Sequence, residues 1–206
     1  MSYVRTCIAE GEHLKQDFKM RIDDAQKIAR SLVAFANTAG GRLLIGVKDN
    51  GNVSGVIPEE ELHMIIRSAE EFCQPPVHFA HSVWKVEGKT VLEIQIEESS
   101  VKPHLAKVEE GWKAFIREHD VTLPASNVWI AMQEVSSLQD SNELFQMSER
   151  EEQLFSLLKQ QPFTLNQLAR KANTPRPILI RKLAKLMKWG IVVENFDQGK
   201  ALYFLK

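Results

Sequence analysis

Along the chain, the spacing of apolar residues changes from helical to nearly continuous at Gly40-Gly41, and the first half reads outward from that point. Ile28, Leu32, Phe35 and Ala36 recur at three- and four-residue intervals, predicting a helix with one apolar face. Asp23 and Asp24 suit its start, because the helix dipole favours negative charge there. Gly40-Gly41 is expected to stop it, since a left-handed cap costs glycine nothing. Residues 43–47, Leu-Leu-Ile-Gly-Val, then read as a strand covered on both faces. Upstream, Leu14 and Phe18 among polar residues at 13–19 fit a short strand. Downstream, Asp49-Asn50-Gly51 signals a turn, and residues 53–56 are expected to return as a partner strand. Pro58 followed by Glu59, Glu60 and Glu61 opens a second helix, with Leu62, Ile65, Ile66 and Ala69 inward and Pro75-Pro76 at its end. Residues 83–86 and 91–96 predict one hairpin, and residues 107–108 and 112–117 another. A helix from Pro124 to about Met132 closes this part.

The remainder has a different pattern. Residues 136–147 are polar enough for a linker, with Leu144 and Phe145 able to dock on a neighbour. Ser148 and Glu151 match a capping box, and the helix they open carries Leu154, Phe155, Leu157 and Leu158. Thr164 and Gln167 repeat that pattern before a short helix with Leu165, Leu168 and Ala169. After a turn at Asn173-Thr174, a third helix runs from about Pro175 to Trp189 and buries Leu179, Leu183 and Leu186. Residues 191–194 and 201–205 predict a terminal hairpin. Three helices with a tight second turn and such a hairpin resemble a winged helix-turn-helix. The expected fold class is therefore α+β: a mixed sheet flanked by helices over residues 1–135, a linker over 136–147, and a small winged helix-turn-helix domain over 148–206.

Charge sharpens the division. Residues 1–147 carry 15 Lys/Arg and 22 Asp/Glu, a balance of −7, whereas residues 148–206 carry 11 and 5, a balance of +6. A basic segment on an acidic chain suits a polyanionic partner, with a solvated basic face as the alternative. On the third helix Arg181, Lys185 and Lys188 fall at i, i+4 and i+7, hence on one face, with Arg176 and Lys182 nearby. In helix-turn-helix proteins this helix enters the major groove, where Arg and Lys meet phosphates and guanine edges. Dimerisation through the same domain is the competing use.

The 206 residues are 44% hydrophobic and 26% charged, as in an ordinary globular protein, and no apolar run reaches the ~18 residues of a membrane span. The N-terminus has no apolar signal core, and Cys7 and Cys73 form no metal or redox motif, so a cytoplasmic location is expected. Gly40-Gly41-Arg42 lacks the spacing and the strand-to-helix order of a phosphate loop. The six histidines are scattered without a catalytic or metal-binding spacing. Glu10, Glu12 and Asp17 precede the first predicted helix and Asp49 follows the central strand. If strand 13–19 lies beside strand 42–48, three carboxylates could converge and hold a divalent cation.

The run Glu12-x4-Asp17-Phe18-Lys19, Ala34-Phe-Ala-Asn-Thr-Ala-Gly-Gly41, Ile45-Gly-Val47 and Asp49, with Ala114-Phe-Ile-Arg117 further on, resembles the AlbA-like domain shared with Schlafen proteins. The resemblance covers about residues 10–135. It implies a DNA-binding or regulatory role, since such domains are often joined to a C-terminal winged helix. It also implies, from the Schlafen-type nucleases, a metal-dependent carboxylate triad at Glu12, Asp17 and Asp49, with Asp17 standing where those enzymes carry Glu. Two functions are thus expected. The first is a DNA-binding transcriptional regulator, with Arg176, Arg181, Lys182, Lys185 and Lys188 on the nucleic acid, no cofactor, and RNA as the other candidate partner. The alternative is a ribonuclease using Mg²⁺ or Mn²⁺ at Glu12, Asp17 and Asp49. A homodimer or oligomeric scaffold is a third arrangement, and any nucleic-acid contact by the acidic part would need a local patch such as Lys15, Lys19, Arg21 and Arg42.

Overall fold

The computed structural model describes residues 2–135 and 149–206, without the side chains of residues 149–151. It divides into two compact units, Met1–Ala125 and Ser126–Lys206. The linker expected over 136–147, Leu144 and Phe145, and the capping serine Ser148 lie outside the described residues.

The first unit runs α1 (Tyr3–Glu10), β1 (Gln16–Lys19), α2 (Ala25–Asn37), β2 (Gly41–Ile45), α3 (Pro58–Glu71), β3 (Cys73–Gln74), β4 (Ala80–Val86), β5 (Lys89–Ile96), β6 (Leu105–Val108), β7 (Gly111–Glu118) and β8 (Val121–Pro124). Its strands form two four-stranded sheets, ordered β1-β2-β5-β4 and β3-β6-β7-β8. The first sheet is mixed: β1 runs parallel to β2, with Asp17 opposite Leu43, and the other pairs are antiparallel. The unit is thus a mixed α+β fold, with its strands divided between two sheets where the sequence pattern suggested one.

Helix α2 joins the sheets. Asp24 caps it, its carboxylate accepting the Gln26 and Lys27 backbone N–H groups at 2.8 and 3.2 Å. Over its first half one face is apolar, as the periodicity suggested, with Lys27 and Arg30 exposed, whereas every residue from Leu32 to Asn37 is buried, so the last turns are enclosed all round. It shares a core with Leu43 and Ile45 of β2, Ile94 of β5, Ala106 of β6 and Phe115 of β7. Leu44 points to the opposite face of β2, into a second core with Phe18, Val91, and Val4 and Cys7 of α1. The strand is therefore covered on both faces, as its apolar run implied.

The Asn37-Thr38 end of α2 is tied to the second sheet. The Asn37 amide donates to the backbone carbonyls of His104 and Phe115 at 2.8 and 2.9 Å, and its oxygen accepts the His104 N–H at 2.8 Å. The Thr38 hydroxyl accepts the Arg117 N–H at 2.9 Å. Chain reversal then needs two glycines. Gly40 has φ +66°, and a Cβ there would sit 2.8 Å from the Ile96 carbonyl oxygen. At Gly41 a Cβ would fall 2.4 Å from the Phe35 ring. The motif thus sets a close approach of helix, turn and strand.

Several expectations are corrected. Residues 53–56 form no strand beside β2; only a bridge of Val53 to Val47 is present, and β5 takes the neighbouring position. Ile66 is 39% exposed on α3, while Glu61 and Ser68 are buried, because the helix lies rotated relative to its apolar positions. Helix α1 and strand β8 carry no clear apolar period and are additions to the expected elements.

The second unit contains α4 (Asn127–Glu134), α5 (Glu149–Gln160), β9 (Phe163–Thr164), α6 (Leu165–Lys171), α7 (Arg176–Lys188), β10 (Val192–Asp197) and β11 (Lys200–Leu205). The α4 segment, expected to close the first part, instead places Val128 in a core with Leu154, Leu168, Leu179, Leu183 and Tyr203. Thr164 and Gln167 form a reciprocal capping box at α6. Strands β10 and β11 pair as a hairpin, with β9 as a third strand on β11.

Replacing Asn37 by Ala leaves three buried backbone groups without partners. Such a loss costs about 1–3 kcal/mol per group left unsatisfied. The Asn37→Ala chain should unfold at clearly lower urea, with faster hydrogen exchange at Leu43–Ile45 amides; unchanged exchange there would contradict the clamp.

Candidate functional site

Helix α7 separates its residues by chemistry. Leu179, Leu183, Ala184 and Leu186 are buried, which turns Arg181, Lys185 and Lys188 to solvent together. Arg176 is exposed in the first turn, and Lys182 is half-buried at the edge of the apolar face. Asn173, at φ +44°, makes the tight turn between α6 and α7, a conformation asparagine tolerates. Among the described residues, no carboxylate forms an ion pair with Arg176, Arg181, Lys185 or Lys188. A row of guanidinium and ammonium groups on one rigid helix can bind phosphates at low desolvation cost, because the groups remain hydrated until they meet the anion.

The carboxylates of the first unit are arranged differently. Glu12 follows α1, Asp17 lies in β1, and Asp49 stands exposed in the turn after β2. The strand pairing expected from sequence is present, with Gln16 opposite Arg42. Glu12 accepts the Phe18 N–H at 2.8 Å, and the Asp17 carboxylate is near enough to act on its charge. Asp17, nearly buried, is paired to Lys19 at 2.8 Å and lies 3.8 Å from the Arg117 guanidinium. Among the described residues, no three His, Cys, Asp or Glu side chains form a group that could hold a metal ion. The structure thus brings Glu12 and Asp17 together and leaves Asp49 outside.

Arg117 is the member of this site that the residue pattern does not single out as functional. It is 2% exposed, yet its Nη2 donates to the carbonyls of His13, Gln16 and Asp120 at 3.1, 3.3 and 3.0 Å. Its guanidinium lies 4.5 Å over the Phe35 ring. Burial draws its pKa down from the usual arginine value, and Asp17, Glu12 and Asp120 oppose that shift. The visible clue is a lone cation ending the apolar run Ala114-Phe-Ile in a strand. Of the patch expected at Lys15, Lys19, Arg21 and Arg42, Lys19 is paired with Asp17 and Arg21 with Asp23 at 2.6 Å, which leaves Lys15 and Arg42 as its cations without a carboxylate among the described residues.

Burial raises the Glu12 pKa above the ordinary carboxylate value; the hydrogen bond from Phe18 opposes this, while Asp17 adds to it. The folded chain therefore holds the Glu12 proton to higher pH than the unfolded chain, and stability falls as pH rises through that window. Glu12→Gln keeps an acceptor for Phe18 and removes the charge. Its stability relative to the parent chain should rise from about pH 4 to pH 7, above the ordinary carboxylate value of about 4.3. Thermal unfolding across that range tests this, and a difference independent of pH would contradict it.

A family model described as "Schlafen, AlbA_2" matches residues 12–126. No curated protein matches the chain. Among solved structures, the DIP2311 protein from Corynebacterium diphtheriae aligns at 19% identity and TM-score 0.44, over 59% of this chain and 24% of that one. The N-terminal domain of a RecG-related protein from Nitrosomonas europaea aligns at 23% identity and TM-score 0.43, over 53% of this chain and 83% of that domain. The chain therefore spans about a quarter of the first of these. No helix among the described residues is long and apolar enough to cross a membrane.

Proposed function

The chain belongs to the Schlafen, AlbA_2 family through residues 12–126, and from that premise we propose that it is a nucleic-acid-binding protein, a DNA-binding transcriptional regulator that grips its target through α7. The observation that carries this reading is the exposed cationic row of Arg181, Lys185 and Lys188 opposite a fully apolar buried face. On this reading α5, α6, α7 and the β10–β11 hairpin act as a winged helix-turn-helix, with α7 in the major groove and Arg176 and Lys182 at its flanks. The charge balance of +6 over residues 148–206 supplies the long-range attraction. RNA is the other polyanion compatible with the same row. The nuclease reading through Glu12, Asp17 and Asp49 has less support. Asp17 is engaged by Lys19 and Arg117, and Asp49 stands apart from the Glu12–Asp17 pair.

Every cation that neutralises a phosphate steepens the fall of log affinity with log salt by roughly 0.9 on duplex DNA. The combined Arg181→Gln, Lys185→Gln and Lys188→Gln chain should therefore bind duplex DNA more weakly, with a salt dependence flatter by about 2–3. Fluorescence anisotropy at a series of salt concentrations measures both. Unchanged affinity and slope in a folded triple variant would remove α7 from the role.

A further inference from the structure

One face of the first sheet carries a row, buried at Gln16 and open from Arg42 outward, that neither the carboxylates nor α7 uses. Gln16 lies opposite Arg42, Arg42 opposite Gln95, and Gln95 opposite Ala80, so these residues share one face in line across four strands. Two positions further along the same face come Phe18, Leu44 and Glu93, and the first two are covered by Val4 and Cys7 of α1. Helix α1 has only eight residues, about 12 Å of length, and its first residue, Tyr3, stands at the edge of the row. Beyond Tyr3 the face opens into a groove of about 650 Å³ with Arg42, Gln95 and Ala80 in its lining. That volume lies within the range of small-molecule sites.

The groove is held in shape from beneath. Glu93 is wholly buried and accepts from the Tyr3 hydroxyl at 2.8 Å, the Trp84 indole N–H at 2.8 Å and the Gln95 amide at 3.1 Å. Two of those donors, Tyr3 and Gln95, are themselves groove residues. Arg42 is fixed next to them: its Nη1 donates to the Tyr3 oxygen and to the Cys7 sulfur, each at 2.8 Å, with its guanidinium over the Tyr3 ring. Its Nε and Nη2 donors remain, in the planar fork that matches a carboxylate or phosphate. Burial and then Glu93 push the Tyr3 hydroxyl up to about 12, so it stays a protonated support at neutral pH. Lys15 and His78 add further positive or polar groups, and Tyr3 and Phe79 add ring surface. Glu97 also lines the groove and repels extended negative charge, which favours a compact anion over a polyanionic strand.

We propose that this groove binds a small organic anion, its carboxylate or phosphate held by Arg42 and Lys15 and its planar apolar body lying against Tyr3 and Phe79. Gln95 offers its remaining amide valences to a polar edge of that body.

Titrating the full ¹⁵N-labelled chain with 1-naphthoate and, separately, with 1-naphthyl phosphate tests the site and distinguishes the two anions. At least one probe should produce saturable shifts centred on Gly41, Arg42 and the Gln95 side-chain amide. Arg42→Gln should weaken that probe at least tenfold, about 1.4 kcal/mol. Since Arg42 also supports Tyr3, a second variant is needed: Ala80→Leu, on an exposed edge-strand position, should fill the row and abolish binding while the spectrum stays folded. No saturable shift with either probe would overturn the proposal. So would shifts centred away from the groove, or parent-like affinity in a folded Ala80→Leu chain.

Discussion

A cation buried at the junction of two sheets needs its charge answered on every side, and that requirement at Arg117 organises the first unit. Leaving such a guanidinium unpaired in the interior would cost several kcal/mol. The fold answers it with three backbone carbonyls, the Phe35 ring and the Asp17 carboxylate. Those partners come from the loop before β1, from β1 itself, from α2 and from the turn after β7. Satisfying one side chain therefore fixes the relative placement of both sheets and the central helix. Asn37 and Thr38 reinforce the same junction from the helix end.

This constraint explains several residues of the motifs that carry the family resemblance. Asn37, Gly40, Gly41 and Arg117 are polar or glycine residues set inside apolar stretches. Their interactions are internal: Asn37 and the Arg117 Nη2 bond to backbone groups, with the Arg117 Nε left unpartnered, and each glycine makes room for a neighbouring ring or carbonyl. Asp17 belongs to that internal set through Lys19 and Arg117, and Glu12 joins it through the Phe18 N–H. These residues thus spend their polar chemistry on the architecture of the first unit. On α7, apolar anchoring of one face leaves Arg181, Lys185 and Lys188 exposed on the other.

Much of this is legible in residue patterns, and the failures have physical reasons. Continuous apolar residues at 43–47 announce a strand buried on both faces, and hairpins at Glu87-Gly88 and Glu110-Gly111 follow from turn chemistry. The split into two sheets is not legible, because pairing partners such as β2 with β5 and β3 with β6 are distant in sequence. Helix α1 gives no signal since only Val4 and Cys7 are buried on it. On α2 periodicity shows one face, which holds over the first half, whereas tertiary packing covers the last turns on every side, through small alanines that carry little hydrophobic signal. The basic row of α7 is fully readable from i, i+4 and i+7 spacing. The separation of Asp49 from Glu12 and Asp17 is not, since it depends on how the turn after β2 is placed.

On the proposed function, nucleic acid is met by the exposed face of α7. Backbone amide shifts recorded while a short DNA duplex is added at low salt test it most directly. Perturbations should concentrate on Arg176–Lys188 and on the β10–β11 hairpin and vanish as salt is raised. Perturbations centred on the first unit with α7 unmoved, or none at low salt, would contradict it.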